Sequence, residues 1–432
     1  MSFGMPVRNG LMLGLTASTA LSTRGGFPVP ALSLNFLSGT LDSRITFTRA
    51  LNTATRVNSS GFIETVNANI PRFDFGPITG DCRGLLIEES RANLLIASAN
   101  LTDAAWQNVT ATIATSAVLS PDGVNFAQTI TSTANGSRVQ QFVTATFTSQ
   151  TYSFFMKQGN TATGRVRLFN NTTAANVCEG ILTFATEQFT IDGGAGTATV
   201  TKLKNAWYRV ALAATTGITV GDSLRCFIYP GNSTSAAGDF MYAWGAQLEA
   251  GAFATSYIPT TTTSLTRNAD AASMTGTNFS SWYNPIEGTL VASGSFLAVG
   301  NNTAPYQNAL VGLSDETSAN AIQFGKSVAG LTTDRPATFS SNGNFSQSIA
   351  GVTITASSIV TMALGLKANS VFFAANGVAG VEDTSCSVPV ADQLGIGNFG
   401  AAGLNALLNG HIRTFTYFNT RLPNDRALAL SR

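Results

Sequence analysis

The sequence predicts an all-β protein: two antiparallel β-sandwich (jelly-roll) domains in tandem, preceded by an extended N-terminal segment and a small β-rich neck. Three observations predict it. Apolar residues make up 44% of the chain while charged ones make up only 11%, less than half the roughly 25% of an average soluble protein. The surface must then be covered by Ser, Thr, Asn, Gln and Gly, as it is where half-buried strands are joined by polar turns. Runs with period-two alternation recur about every 8–12 residues, closed by Gly, Asn or Pro and not interrupted by a helical period. Finally, 432 residues exceed one ordinary domain, and the alternation stops at one place in the middle of the chain. The 28 Phe exclude a disordered chain, which would lack aromatic residues and carry more charge.

Residues 1–40 hold little charge and end in "FPVPALSLNF", an extended Pro-bounded segment. It cannot bury its apolar residues alone and must dock on its own chain or on a partner. "LMLGLTASTALS" has some features of a secretion signal, but one preceding positive charge and the interrupting Gly14 argue against that reading. No apolar run approaches the ~20 residues needed to span a bilayer. Residues 41–95 contain short strand-like pieces ("RITFTRA", "GFIETV", "GLLIEES") broken by turn signals, and read as a small β-rich neck.

From 96 to 262 the strands lengthen. "QTYSFFMKQG" places Tyr152, Phe154 and Met156 on one face, and "GRVRLFNN", "AWYRVALAAT" and "SLRCFIYPGN" follow. In "DFMYAWGAQLE" strict alternation puts Phe240, Tyr242, Trp244, Ala246 and Leu248 on one face and Glu249 on the other, at a solvated strand end. "IPTTTTSLTRNADAASM" then breaks the pattern at Pro259 and marks a boundary. Residues 271–432 repeat the short-strand grammar and close on "LPNDRALALSR", where Asn424 or Asp425 caps the one convincing helix.

Net charge is +1 with no Lys/Arg-rich run, so the stripe that neutralises nucleic-acid phosphates is missing. Cys82, Cys178, Cys226 and Cys386 form no CxxC pair and offer no local nucleus for zinc. Cys178 and Cys226 either meet across one sandwich or stay as buried free thiols, the second being the commoner fate of widely spaced cysteines. No cofactor or metal is expected. "GIGNFGAAG" and "DGGAG" lack the strand–loop–helix context of a phosphate loop and read as turns.

Catalytic groups are scarce. A Ser–His–Asp arrangement would have to use His411, the one histidine, and no GxSxG elbow accompanies it. Glu88 and Glu89 are neighbours, and in a strand their carboxylates diverge to opposite faces instead of flanking one sugar. The expectation is therefore a non-enzyme with no catalytic residue. Flat sugar faces pack on aromatic rings. Trp207 and Trp244 lie in alternating strands and read as core. That leaves Trp106 ("DAAW") and Trp282 ("SSWYNP"), in loop-like contexts, as the glycan-binding candidates.

"LSLNFLSGTLDSRITFTRALNTATRVNSSGFIETVNANIPRFDF", "GLLIEESRANLL", "AAW" and "WGAQLEAGAFATSYIPT" followed by "TRNAD" together resemble a module of tailed-bacteriophage virion structural proteins, of tail-fibre, head-fibre or decoration type. The module looks like a jelly roll of carbohydrate-binding-module type. The half from "NPIEGTLVASGSF" to "HIRTFTYFNTRLPNDRALAL" looks like a concanavalin A/laminin G-like sandwich, without the dense Asp/Asn cluster that holds calcium in lectin-like relatives. The resemblance implies a virion protein made in the host cytoplasm. Residues 1–40 would attach it to capsid or tail, its sandwiches would present a surface to host-surface glycans, and it would assemble as a homotrimer. The alternatives are a polysaccharide-degrading tailspike and a purely particle-stabilising decoration protein.

Overall fold

The computed structural model describes residues 28–51, 53–297, 299, 308–327, 334–399 and 407–432. Within them the chain is the expected all-β protein with two antiparallel sandwiches, but these are nested along the sequence. The base sandwich is built from both ends of the chain. One of its sheets runs in the order Val378–Ala379, Ser370–Ala375, Ile359–Lys367, Glu287–Phe296, Gly410–Phe418, Cys82–Ile87, Arg72–Phe75, with Leu32–Asn35 also paired to Gly410–Phe418. The facing sheet begins with Thr46–Thr48 beside Ala271–Thr275 and continues through Gln393–Ile396 to Phe345–Ser348.

This corrects the expected division of the chain. The described part of the expected anchor, "LSLN", is a strand whose Leu32 and Leu34 enter the base core beside Phe415 and Tyr417; residues 1–27 lie outside the described residues. The expected neck, 41–95, supplies Phe47, Phe73, Leu85 and Ile87 to that same core. These pieces are too short to bury themselves, and they find their partners more than 200 residues away.

The second sandwich is inserted into the first. The chain leaves the base through Arg91–Asn93 and returns through Leu265–Arg267, and these two short strands pair antiparallel, Asn93 opposite Leu265 and Arg91 opposite Arg267. Between them lie two six-stranded sheets. One runs Thr197–Lys202, Trp207–Ala214, Gln150–Gln158, Phe240–Ala250, Phe126–Ser132, Ala111–Leu119. The other runs Gln188–Gly194, Ala175–Thr183, Thr163–Asn170, Ser223–Tyr229, Arg138–Thr144, Gln107–Val109. Tyr152, Phe154 and Met156 face their common core as expected.

The strand Phe240–Ala250 departs from strict alternation. Gln247 opposes Ser153 but Trp244 opposes Phe155, so one extra residue sits in this strand, at Gly245 with φ +67°. A bulge of this kind reverses which side chains face inward. Met241 and Ala243 before it, and Ala246 and Leu248 after it, enter the sandwich core. Trp244 goes to the outer face, where it packs with Phe155, Trp207, Tyr257 and Ile63. That outer face is covered by the hairpin Ala54–Val57/Ile63–Val66 and by the returning segment 252–258, so neither side of the strand meets water between Ala243 and Glu249.

Cys178 and Cys226 are free thiols, both fully buried. Both oppose Leu168, one from each neighbouring strand, which sets them about 10 Å apart, beyond disulfide reach. Burial pushes the Cys178 thiol up to about 11, so it behaves as a small apolar side chain. The final helix spans Asn424–Leu430 with Pro423 at its cap and Asp425 in its first turn.

Candidate functional site

Neither Trp106 nor Trp282 presents a ring to a sugar, which corrects the expected glycan platform. Trp106 is 4% exposed and donates its indole N–H to the Ala97 carbonyl at 3.2 Å. Trp282 is 6% exposed, donates to the Asn278 carbonyl at 2.8 Å and sits against Phe279 and Tyr417, with ring centroids 4.9 and 5.0 Å away. The spacing Phe279, Trp282, Tyr283 is the i, i+3, i+4 pattern of a helical turn, and Thr277–Ser280 is one. Read that way, "NFSSWY" announces a core plug. Trp282→Ala should therefore cost about 3–5 kcal/mol in urea denaturation while leaving glycan binding intact.

His411 is buried, with Nε2 3.0 Å from Asp74 Oδ2 and Nδ1 3.4 Å from Ser295 Oγ. The residue types are those of a hydrolase triad. However, Ser295 stands in a central strand, paired on both sides through Ile359 and His411, so its own backbone is committed to the ladder and does not form the exposed turn that presents an N–H to an oxyanion. The contact satisfies both nitrogens of a buried ring. Glu88 and Glu89 do diverge: Glu89 pairs with half-exposed geometry to Arg91, and Glu88 is fully buried.

Glu88 belongs to a buried charge network at the seam between the sandwiches. Arg72 Nη1 and Arg267 Nη1 lie 2.7 and 2.8 Å from its Oε2, and Arg72 also binds Asp270, which Arg49 meets at 3.1 Å. The side chains of these five residues are completely shielded from solvent. Ser256 of the returning segment adds N–H and O–H donors to Glu88, each at 2.7 Å. Burial alone raises the Glu88 carboxyl, but Arg267, Arg72 and the Ser256 hydrogen bonds overcome it and hold the group well below the usual carboxylate range. Glu249, expected in solvent, is fully buried next to this network and accepts from Thr255 N–H at 2.9 Å and from Gln247 at 2.6 Å. The bulged strand's outer face is covered, which is why the expectation failed. A cavity of about 420 Å³ opens beside the seam, lined by Arg56, Asp74, Arg209, Phe253, Ser357 and His411 among others.

The other sheet of the inserted sandwich has a different outer face. Its core-facing residues, Val139, Val166, Leu168, Leu224, Cys226 and Ile228, alternate with Arg138, Gln140 and Phe142, with Arg165, Arg167 and Phe169, and with Arg225, Phe227 and Tyr229. The register sets Gln140 opposite Phe227 and Phe227 opposite Arg167, while Phe142 opposes Arg225 and Arg225 opposes Phe169. The guanidinium carbons of Arg138, Arg167 and Arg225 lie 5.5, 5.6 and 5.4 Å from the Phe227 ring centre. Arg225 also lies over Phe142 at 4.5 Å, and Arg167 over Tyr229 at 5.4 Å. Phe227 and Tyr229 are themselves nearly inaccessible, whereas Phe142 is 39% exposed. The guanidinia thus cover an aromatic floor and form the upper surface. This face was visible in "GRVRLFNN" and "SLRCFIYPGN", where the positions between core residues are Arg or aromatic instead of Ser and Thr.

Among the described residues, no group of His, Cys, Asp and Glu side chains is placed to hold a metal ion, and no helix is long and apolar enough to cross a membrane. No family model and no curated protein matches the sequence. Similar solved structures include the carbohydrate-binding module (CBM40) of the Ruminococcus gnavus IT-sialidase bound to α2,6-sialyllactose, at 13% identity and TM-score 0.29, covering 36% of this chain and 88% of that one. Domain 4 of AbnA, an extracellular arabinanase of Geobacillus stearothermophilus, in complex with arabinotriose, is similar at 12% identity and TM-score 0.28, covering 62% and 97%. The Trypanosoma rangeli sialidase in complex with the inhibitor DANA is similar at 12% identity and TM-score 0.27, covering 71% and 60%. Likenesses this distant assign neither a ligand nor a reaction to this chain.

Proposed function

We propose that the chain is a non-enzymatic structural protein of a tailed-bacteriophage particle, a fibre or decoration that adheres to glycans of the host surface. Its N-terminal segment attaches to capsid or tail, and three copies assemble. The phage setting, the attachment and the trimer rest on the sequence resemblance. Glycan adhesion rests on one observation, the outer sheet face of the inserted sandwich, where an aromatic floor overlaid with planar hydrogen-bond donors lies open beside the half-exposed Phe142. Sheet faces of this kind are broad and shallow, suited to an extended polymer, and each planar group offers stacking and directional donors together.

The test is incubation of the full chain with polysaccharide prepared from host envelopes. Retention on the immobilised polysaccharide without release of reducing ends is the expected result. Released oligosaccharides would replace the adhesion reading with the degrading one, and no retention would leave a particle-stabilising role. Light scattering of the purified chain should return three times the 44.9 kDa chain mass.

A further inference from the structure

Resting on the glycan-adhesion reading, we infer that the ligand of the inserted sandwich is an anionic polysaccharide, bound across Arg138, Arg167 and Arg225. The argument is one of charge balance. Four guanidinia meet on this face, those of Arg138, Arg165, Arg167 and Arg225, against two carboxylates, Glu179 and Asp192. Both carboxylates are committed to one side: Arg165 pairs with Asp192 and Glu179, and Arg167 pairs with Glu179. Arg138 and Arg225 have no carboxylate partner among the described residues. Arg138 donates to the Gln140 side chain at 3.3 Å and to the Gly136 carbonyl at 3.0 Å, and Arg225 donates to the Asn171 side-chain oxygen. The Nε of Arg225 is buried with no acceptor.

In a chain whose net charge is +1 over 432 residues, a local excess of two positive charges is a concentration, not an average. Folding gains little from it. Like charges repel across the shared Phe227 ring, and burial together with Arg138 lowers the Arg225 guanidinium from its ordinary value. Stacking on aromatic rings returns only about 0.5–1 kcal/mol per pair at exposed sites. What the arrangement provides is a row of fixed, flat, forked donors in which Arg138 and Arg225 keep their charge unspent while Arg167 shares its own with Glu179, and such forks match carboxylate, sulfate or phosphate oxygens two at a time. Carboxylates along a polymer would be met successively by Arg138, Arg167 and Arg225, while Phe142 and Phe169 at the far edge receive a sugar face. A neutral glycan would leave the two excess cations unused.

The experiment is affinity electrophoresis of the full chain through gels containing polygalacturonate, dextran sulfate or unmodified dextran, repeated at about 0.05 M and about 0.5 M NaCl so that screening separates charge from stacking. Polygalacturonate and dextran sulfate separate carboxylate from sulfate recognition. Retardation by at least one anionic polymer, weakened by salt and absent with dextran, is expected. Arg138→Gln and Arg225→Gln should each weaken it by about tenfold, the worth of one charge-assisted hydrogen bond. Gln140→Glu keeps every arginine and places a carboxylate between them. It should weaken binding as much. Because Gln140 is buried and donates to the Gln107 side chain, its melting temperature is read beside those of the arginine variants, and a variant that still melts cooperatively near the parent keeps the test valid if an arginine variant folds poorly. Equal retardation by dextran, or unchanged binding in Gln140→Glu, overturns the anionic assignment and leaves glycan adhesion standing. No retardation by any of the three polymers overturns the assignment, and failure on host polysaccharide as well overturns the adhesion reading beneath it.

Discussion

Joining Asn93 to Leu265 through a two-residue Asn-Gly turn, with everything between removed, is expected to yield a folded base sandwich, whereas residues 271–432 alone should not fold. Asn93 and Leu265 are already cross-strand partners, and a type I′ turn closes such a pair without splaying the strands. The shortened chain keeps Leu32, Leu34, Phe36, Phe47, Phe73, Leu85 and Ile87 in the core, all of which the fragment 271–432 lacks. At ~1.5–3 kcal/mol for each fully buried large apolar side chain, those seven residues contribute roughly 10–20 kcal/mol, as much as the whole stability of an ordinary domain. The fragment also loses strands from both sheets, exposing Gly410–Phe418 and Ala271–Thr275 as unpaired edges prone to aggregation. Circular dichroism and hydrogen exchange of the shortened chain and the fragment side by side decide the matter. A soluble, cooperatively melting 271–432 would show that the early strands are ornaments and that the tandem division was right.

The expected tandem division shows what alternation can and cannot reveal. Strand positions are local properties: Tyr152, Phe154 and Met156 point inward because period two and β-rich composition suffice to say so. Partners are not local. Nothing within "LSLNF" states that it lies against "TFTYF" more than 370 residues later, because either neighbour would satisfy its backbone equally well. The jelly roll interrupts the base sandwich at a ribbon only three residues long on each side, too short to stand out from turns. Burial of polar residues was hidden for a related reason. Glu249 sits on a strand face, and Glu88 and Asp270 sit one residue outside strand ends; all three look solvated until the second sandwich and its returning segment cover them. The arginine–aromatic face was legible in part. Its members occupy most outward positions of three strands, but only their register shows that three guanidinia share one phenyl ring. Trp282 follows a single helical turn, Thr277–Ser280, too short to show a period in sequence, and Trp106 lies in a turn that folds back onto the sandwich core, where its indole meets the Ala97 carbonyl.

Glu88→Ala should be the most damaging single substitution at the seam. It would leave the buried guanidinia of Arg49, Arg72 and Arg267 with Asp270 as the one carboxylate they pair with directly, and with Glu249 only nearby. Breaking a fully buried pair from one side costs about 3–5 kcal/mol, because the remaining charge is stranded without water or partner. The loss should fall on the coupling between sandwiches. Arg72 and Glu88 belong to the base, while Ser256, which donates twice to Glu88, belongs to the returning segment. Cleavage by added protease within residues 252–264 should therefore accelerate before the global unfolding midpoint moves through either core. Acid should mimic the substitution, with the sign set by the direction of the shift. Glu88 is held below its ordinary value of 4.5 in the folded chain, so its contribution is complete above that pH and fades as pH falls below it, by about 1.4 kcal/mol per pH unit for one proton. Glu88→Gln removes that proton from the balance while keeping an acceptor for the Ser256 N–H. Its urea midpoint should lie between those of the parent and Glu88→Ala, and the part of the acid slope due to this residue should vanish. An alanine variant within 1 kcal/mol of the parent, or an unchanged slope in the glutamine variant, would mean that the seam is held by Trp244, Tyr257 and Ile63 packing and that the buried charges merely tolerate one another.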